Sequence, residues 1–269
     1  MPGGGDGDAP AAPSRKRLFD VAVTLAASPV ALPVLALCAA AIALLDGTPV
    51  LYRSPRRVHR STSLRVAKFR VMRRDAERVA NRDTVPVGAT RFLNIPADSP
   101  LYTPVGRLIE RLVLTELPQL WHVLGGRMSL VGNRPLPENV VRALREEHPD
   151  AEARFFTPAG LTGPVQLVGR DYLSDHVRLR LEAAYCRRVS EAYSVRLDLE
   201  ILARTVLVGL APSRRMTPER VLAMLAAPPP ARRGARLRRA LAGRLGLGGS
   251  GGGLHGPSSA EHPAQGGRP

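Results

Sequence analysis

The chain has 269 residues, with 39 Lys+Arg against 23 Asp+Glu, a formal net charge of +16. Aromatic residues make up 4 %, so the core is expected to be aliphatic, and two cysteines, Cys38 and Cys186, exclude a disulfide framework and a cysteine-rich zinc module. This charge calls for an anionic partner: nucleic acid, a phosphorylated substrate or an acidic lipid surface.

Residues 1–14 are mostly Gly, Ala, Pro and Asp and are expected to be disordered, because they have nothing to bury. Arg15, Lys16 and Arg17 follow. Then comes an uncharged stretch, Val21 to Leu45, long enough for about one bilayer crossing. It is too long for an ordinary signal-peptide core, and Asp46-Gly47-Thr48-Pro49 closes it without an A-x-A site. Ser28-Pro29 and Pro33 lie inside it, and a proline removes a helix hydrogen bond and kinks the axis. Basic residues stand on both sides: Arg15, Lys16 and Arg17 before, Arg53, Arg56, Arg57 and Arg60 after. Positive charge marks the cytoplasmic side. Residues 15–46 therefore read as a re-entrant helix hairpin, entering and leaving by one leaflet, with its membrane bend at Ser28 and Pro29. A single kinked spanning helix is the rival reading.

Residues 47–212 read as a small, cytoplasmic mixed α/β domain. Val50-Leu51-Tyr52 and Leu64 to Val71 have the character of strands, the second alternating with period two. Thr103-Pro104 opens a helix as N-cap and first-turn proline, with Val105, Leu108, Ile109 and Leu112 as its apolar face. A second helix is expected from about Glu116 to Leu124. Leu117, Leu120, Trp121 and Leu124 form its core stripe, and Gly125-Gly126 ends it. Pro137 starts a third, and a longer one begins near Ser174. The apolar stretch Leu197 to Leu210 is expected to dock on the membrane or the core. Residues 213–269 read as a basic, Gly/Pro-rich, largely disordered tail. It contains a short helix capped by Thr217-Pro218-Glu219 and an Arg-rich stretch from Ala231 to Leu245, either a membrane-surface helix or solvated chain.

The residues that suit chemistry cluster between Leu114 and Pro137. Glu116 falls in the first turn of a helix, and Arg134 stands with Pro135 in a proline-fixed turn. A carboxylate suits Mg²⁺, which takes few protein oxygens plus substrate phosphates. Arginine clamps phosphate through two parallel hydrogen bonds. Lys68 and Arg70 on a strand, with Arg170, add further positive charge. Together they suit a diphosphate substrate at a membrane surface. Taken singly, each has a plainer reading: Thr115 as a helix N-cap, Glu116 as a carboxylate favoured by the helix dipole, Lys68 and Arg70 as solvated strand residues. The histidines lack zinc-site spacing, and no glycine-rich nucleotide loop follows a strand. Specific nucleic-acid binding would interleave basic residues with stacking aromatics, which are too few here.

Taken in order, the chain reads Lys16-Arg17-Leu18-Phe19-Asp20, Ser28-Pro29, Lys68-Phe69-Arg70-Val71-Met72 and Thr115-Glu116-Leu117-Pro118-Gln119-Leu120. Then follow Met128 to Pro135, Ala159-Gly160-Leu161-Thr162-Gly163, Gln166 to Arg170, and Leu197-Asp198-Leu199. This series resembles the bacterial sugar transferase family, monotopic phosphoglycosyl transferases that load polyprenyl phosphate, over about residues 15–212 and in the short form of that family. The resemblance implies an enzyme on the cytoplasmic face of the bacterial inner membrane. Its substrates would be a UDP-sugar and undecaprenyl phosphate, its cofactor Mg²⁺, and its product the start of exopolysaccharide, O-antigen or glycoconjugate assembly. In the family an aspartate of an Asp-Glu pair attacks the β-phosphate, releases UMP, and passes the phosphosugar to the lipid. The match gives Thr115 and Glu116 the catalytic positions, Glu116 the metal, and Arg134 and Pro135 the nucleotide.

Thr115 stands where the resemblance expects the nucleophilic aspartate. A carboxylate is ionised at neutral pH; a hydroxyl is a weak nucleophile until a base takes its proton. Glu116 would then have to be base and metal ligand at once. Thr115 is expected to keep a structural task, capping the helix through the backbone N–H of Leu117. Arg127, Asn133 and the Ser54 to Val58 stretch, where the family has a glycine-bearing turn, also depart from the pattern. The alternative is a catalytically impaired relative acting as an accessory or regulatory protein. Homo-oligomerisation is left open.

Overall fold

The computed structural model describes residues 13–76, 95, 99–169 and 173–227. Most of the N-terminal segment, the Arg-rich stretch from Ala231 to Leu245, and Arg170 lie outside the described residues.

The chain begins with α1, Ser14–Ala41, which a π-helical turn, Ile42–Asp46, extends. It is a single helical element that runs through Pro29 and Pro33, not two separate helices. Pro29 has no N–H to give the carbonyl four residues back, that of Leu25. The Ser28 hydroxyl donates to that same Leu25 oxygen at 2.7 Å. The Ser-Pro pair thus replaces one backbone hydrogen bond with a side-chain one and leaves no orphaned Leu25 carbonyl.

Burial along α1 is uneven. Lys16, Phe19, Asp20 and Thr24 are buried near one end, Cys38 and Ile42 near the other. Between them Leu25, Val30, Leu32 and Leu37 are exposed. Both ends pack on the body, and the middle, around Ser28-Pro29, stands clear of it.

Two of the basic residues that flank this segment are not membrane-surface charges. Lys16 is fully buried: Nζ donates to Asp198 Oδ2 at 2.7 Å, Val131 O at 2.8 Å and Tyr185 Oη at 3.2 Å. Arg17 donates from both terminal nitrogens to the carbonyls of Val123 and Leu124, the last carbonyls of a short helix, where positive charge is favoured. Asp20 accepts from Ser129 Oγ and from the Leu130 N–H at 3.0 Å. The Lys-Arg-x-Phe-Asp motif is the joint between α1 and the body.

Among the described residues the body is a mixed α/β arrangement of two separate two-stranded sheets with helices around them. An antiparallel hairpin pairs β1, Leu51–His59, with β2, Thr62–Phe69, in the register Tyr52 to Lys68. Ser54 to Val58, the stretch that departs from the family's glycine-bearing turn, lies inside β1; Pro55 is tolerated there because the hairpin leaves its missing N–H at an edge. A short parallel pair joins β3, Ser129–Val131, and β4, Gly160–Thr162. The helices are α2, Pro104–Arg111; α3, Leu120–Leu124; α4, Glu138–Glu147; α5, Pro164–Val168; α6, Asp175–Ala192; α7, Val195–Leu210; and α8, Pro218–Ala226. Thr103, Ser174, Ser194 and Thr217 cap α2, α6, α7 and α8 with their hydroxyls.

Three differences from the sequence reading have physical causes. The body does not stop at residue 212: Val221 and Leu225 of α8 are buried in the main core beside Leu181 and Tyr185. Trp121, expected in the core, is 78 % exposed, and Leu108 and Leu112 of the α2 stripe are exposed too. Helical periodicity marks an apolar face but not what covers it. The helix expected over 116–124 is a 3₁₀ turn, Leu117–Gln119, followed by the short helix α3.

Candidate active site

Glu116 and Arg134, eighteen residues apart in the chain, meet: Arg134 Nη1 donates to Glu116 Oε1 at 2.8 Å. Both side chains are partly exposed, and the pair faces solvent. Arg134 is held from behind. Its carbonyl accepts from Arg154 Nη2 at 3.0 Å. Arg154 in turn pairs with Glu182 at 2.6 and 2.8 Å, fully buried. Asn133 is buried and donates to the Arg154 and Glu182 carbonyls, so this position is a structural clasp. Burial lowers the pKa of the neighbouring Arg178 guanidinium, against the pull of Glu182 and Asp175. Pro135 is half-buried beside the clasp, ahead of Leu136, which bridges Arg57 of β1. Neither Arg154 nor Glu182 carries a sequence signal; each reads as an ordinary surface charge.

Lys68 lies on β2 with its ammonium 5.3 Å from the centre of the Tyr52 ring. Both residues line a cavity of about 270 Å³ together with Pro49, Phe69, Met72, Arg73 and Arg74. The cavity sits where α1 gives way to the hairpin, and four of its lining residues are cationic. Arg70 also lines it, but four of its N–H groups are committed: Nε donates to Pro49 O at 2.6 Å, Nη1 to Met72 O, and Nη2 to Asp46 O and Gly47 O. Arg70 is a buried clamp on the chain that leaves the C-terminal end of the apolar N-terminal helix. That end carries the negative pole of the helix, which explains an arginine there better than phosphate binding does. Next to Lys68, the Ala67 N–H donates to His122 Nε2 at 3.2 Å. Burial, Arg127 and Arg53 hold the His122 imidazole below its ordinary pKa.

Thr115 does not cap a helix. The Leu117 N–H goes to the Leu114 carbonyl at 3.1 Å. The Thr115 hydroxyl donates instead to Glu110 Oε2 at 2.5 Å, and its carbonyl accepts from the Phe69 N–H at 3.0 Å. The local cause is the end of α2. Val113 N bonds Glu110 O and Leu114 N bonds Ile109 O, each at 3.0 Å, the paired bonds that close a helix with a left-handed residue. That residue is ordinarily glycine; here it is Val113 at φ 59°. A β-branched side chain in this region is strained by about 1–2 kcal/mol. The turn folds residue 115 back over residue 110. Val113→Gly is expected to stabilise the protein by about 1 kcal/mol after the entropy of glycine is subtracted, measured as a higher melting temperature; a lower one would mean that the valine side chain makes packing contacts worth more than the strain.

Among the described residues no group of three or more His, Cys, Asp and Glu could hold a metal ion. The donor set at Glu116 is a single carboxylate. It fits Mg²⁺ bound mainly through substrate phosphates and water, and does not fit zinc or an all-protein calcium cage.

The model of the bacterial sugar transferase family matches residues 12–212. The chain belongs to the bacterial sugar transferase family. It is 30 % identical over 197 residues to the exopolysaccharide production protein ExoY of Sinorhizobium fredii, covering 71 % of this chain and 83 % of that one. It is 36 % identical over 202 residues to the undecaprenyl-phosphate glucose phosphotransferase of Komagataeibacter xylinus, covering 71 % of this chain but 35 % of that larger protein. It is 32 % identical over 195 residues to the UDP-glucose:undecaprenyl-phosphate glucose-1-phosphate transferase of Caulobacter vibrioides, covering 71 % and 68 %. As a sugar transferase, the chain pairs an apolar N-terminal helix, long enough to cross a membrane, with a body that carries the Glu116–Arg134 pair.

Proposed function

We propose that this sugar transferase moves a sugar-1-phosphate from a UDP-sugar to undecaprenyl phosphate, as an early step of exopolysaccharide or glycoconjugate assembly. The observation that carries the proposal is the Glu116–Arg134 pair at 2.8 Å, backed by the buried Arg154–Glu182 clasp, with the preceding residue, Thr115, bonded through its carbonyl to Phe69 of the cationic cavity. The names of the relatives from Komagataeibacter and Caulobacter supply the lipid acceptor, and the latter the UDP-sugar donor.

Arg134 is positioned to clamp a phosphate oxygen, and Lys68 to attract a second from the cavity wall. Arg73 and Arg74 add charge to the same cavity wall, Arg73 paired with Asp75 and Arg74 bonded to the Thr48 carbonyl. Glu116 is the residue that would hold Mg²⁺, releasing Arg134 to the substrate; the ion, when bound, neutralises diphosphate charge. Arg70 is assigned to holding the helix end, not to substrate.

The same proposal includes a monotopic arrangement, with both ends of α1 on the cytoplasmic side. The burial pattern supports it: both ends of the helix pack on the body while the apolar middle at Ser28-Pro29 does not. Exposed Leu108, Leu112, Val113 and Trp121 suit the headgroup region, where tryptophan is favoured. Single cysteines at residues 12 and 60, on the two flanks of the segment, in a variant lacking Cys38 and Cys186, test it. A label applied from the periplasmic side is expected to miss both; labelling at either would mean that the helix spans.

The activity is tested with the full chain in vesicles containing undecaprenyl phosphate, Mg²⁺ and UDP-glucose, UDP-galactose or UDP-N-acetyl sugars. UMP release with one of them, abolished by EDTA, is the expected result. Silence with all of them, from protein that is folded and membrane-bound, would favour the accessory role.

A further inference from the structure

We propose that Glu110 is the base that makes Thr115 a nucleophile, an inference that rests on the transferase reading above. Thr115 is buried, and its hydroxyl donates to Glu110 Oε2 at 2.5 Å, a short hydrogen bond pointing from the alcohol to a carboxylate. A nucleophilic hydroxyl requires a base within such reach. The contact is not a by-product of helical spacing. Residues five apart do not face each other on a regular helix; they meet here because the chain reverses at Val113, in a left-handed conformation that valine rarely adopts. Strain of this kind persists where surrounding structure requires it and gathers at functional sites.

The arrangement also divides the labour at the site. Glu116 is turned to Arg134, whereas Thr115 is turned to Glu110. One carboxylate serves the metal and the phosphates, and a different one serves the hydroxyl. Glu116 is not asked to be base and ligand together.

The step balances. Glu110 Oε2 takes the Thr115 hydroxyl proton as Oγ1 bonds to the β-phosphorus of the UDP-sugar. The bond from that phosphorus to the oxygen bridging the α-phosphate breaks, and UMP leaves with the electron pair. An oxygen of undecaprenyl phosphate then attacks the same phosphorus, the bond to Oγ1 breaks, and Glu110 returns the proton to it. An alkoxide is a poorer leaving group than a carboxylate, so the returned proton matters most in this second half. The intermediate is a phosphodiester of threonine, which resists hydroxylamine, whereas an acyl phosphate is cleaved by it.

The test uses the full chain in undecaprenyl phosphate vesicles with Mg²⁺ and whichever of UDP-glucose, UDP-galactose or the UDP-N-acetyl sugars the wild type turns over. Glu110→Gln and Thr115→Val are each expected to slow UMP release about a hundredfold or more, with membrane binding and melting temperature kept. Thr115→Ser is expected to retain activity. The trapped adduct should sit on residue 115 and survive hydroxylamine. A folded Glu110→Gln within about threefold of wild type, with Thr115→Val silent, would overturn the role of Glu110 and leave the transferase reading standing. Thr115→Val as fast as wild type would remove residue 115 from the chemistry and overturn the proposal. A wild type silent with every sugar would overturn the transferase reading, and this proposal with it.

Discussion

Glu116→Gln is expected to lower UMP release roughly a hundredfold or more, the loss of about 2.7 kcal/mol of transition-state stabilisation when a metal-binding carboxylate becomes an amide. Arg134→Lys is expected to lower it about tenfold or more, the equivalent of one charged hydrogen bond, because an ammonium does not reproduce the planar fork. Neither change should unfold the protein. The pair is partly exposed on both sides, and such ion pairs contribute less than about 1 kcal/mol. A kinetic effect larger than the stability effect therefore belongs to the chemistry. Steady-state rates and thermal melts on the same preparations check this; unchanged rates in both variants would place the active site elsewhere.

The largest stability effect is expected at the joint between α1 and the body. Lys16→Met leaves Asp198 buried, its carboxylate facing the hydroxyls of Tyr185 and Tyr193 at 2.8 and 3.2 Å. Burial and that same carboxylate already push both phenols well above their usual pKa, so neither gives Asp198 a proton at neutral pH. An uncompensated buried charge destabilises by about 3–5 kcal/mol, which for a chain of this size lowers the melting temperature by roughly 6–20 °C. The double variant Lys16→Met, Asp198→Leu is expected to lose less than the sum of its parts, because the charges are removed together. Thermal melts of the full chain in vesicles check both. A loss under about 1 kcal/mol for the single variant would mean that water reaches Asp198.

Much of the architecture was legible in the sequence for local reasons. Thr103-Pro104 announces the start of α2 because a hydroxyl acceptor and a residue without an N–H suit a helix N-terminus, and the Thr103 hydroxyl does accept from Gly106. The alternation from Leu64 onward marks β2, and Ser174 and Pro137 mark the starts of α6 and α4. The Glu116–Arg134 contact could be suspected from residue types, but only the fold brings the two together.

The misses share a cause. Helical spacing points Trp121 to a protein core and gives Leu112 an apolar face, yet spacing does not say what covers that face, and both are exposed. Lys16 was counted as a surface charge because lysine is rarely buried unpaired; its partner Asp198 lies 182 residues away, beyond any local pattern. Arg70 looks like a phosphate ligand for its charge, while four of its N–H groups are committed to the carbonyls of Asp46, Gly47, Pro49 and Met72. The Glu110–Thr115 contact was invisible because it depends on a left-handed turn at a valine, and without a glycine the sequence carries no sign of that turn.

The most direct test of the account is where the β-phosphate of the donor goes. The full chain is incubated with Mg²⁺, undecaprenyl phosphate vesicles and the accepted UDP-sugar radiolabelled in its β-phosphate, and the products are partitioned between organic solvent and water. Transfer of sugar-1-phosphate predicts that the label moves into the organic phase with the lipid while unlabelled UMP accumulates in the water, and that Glu116→Gln, carrying the same label, leaves it in the UDP-sugar. Label recovered in UDP, with unlabelled sugar on the lipid, would contradict the account, because the sugar would then have moved without its phosphate.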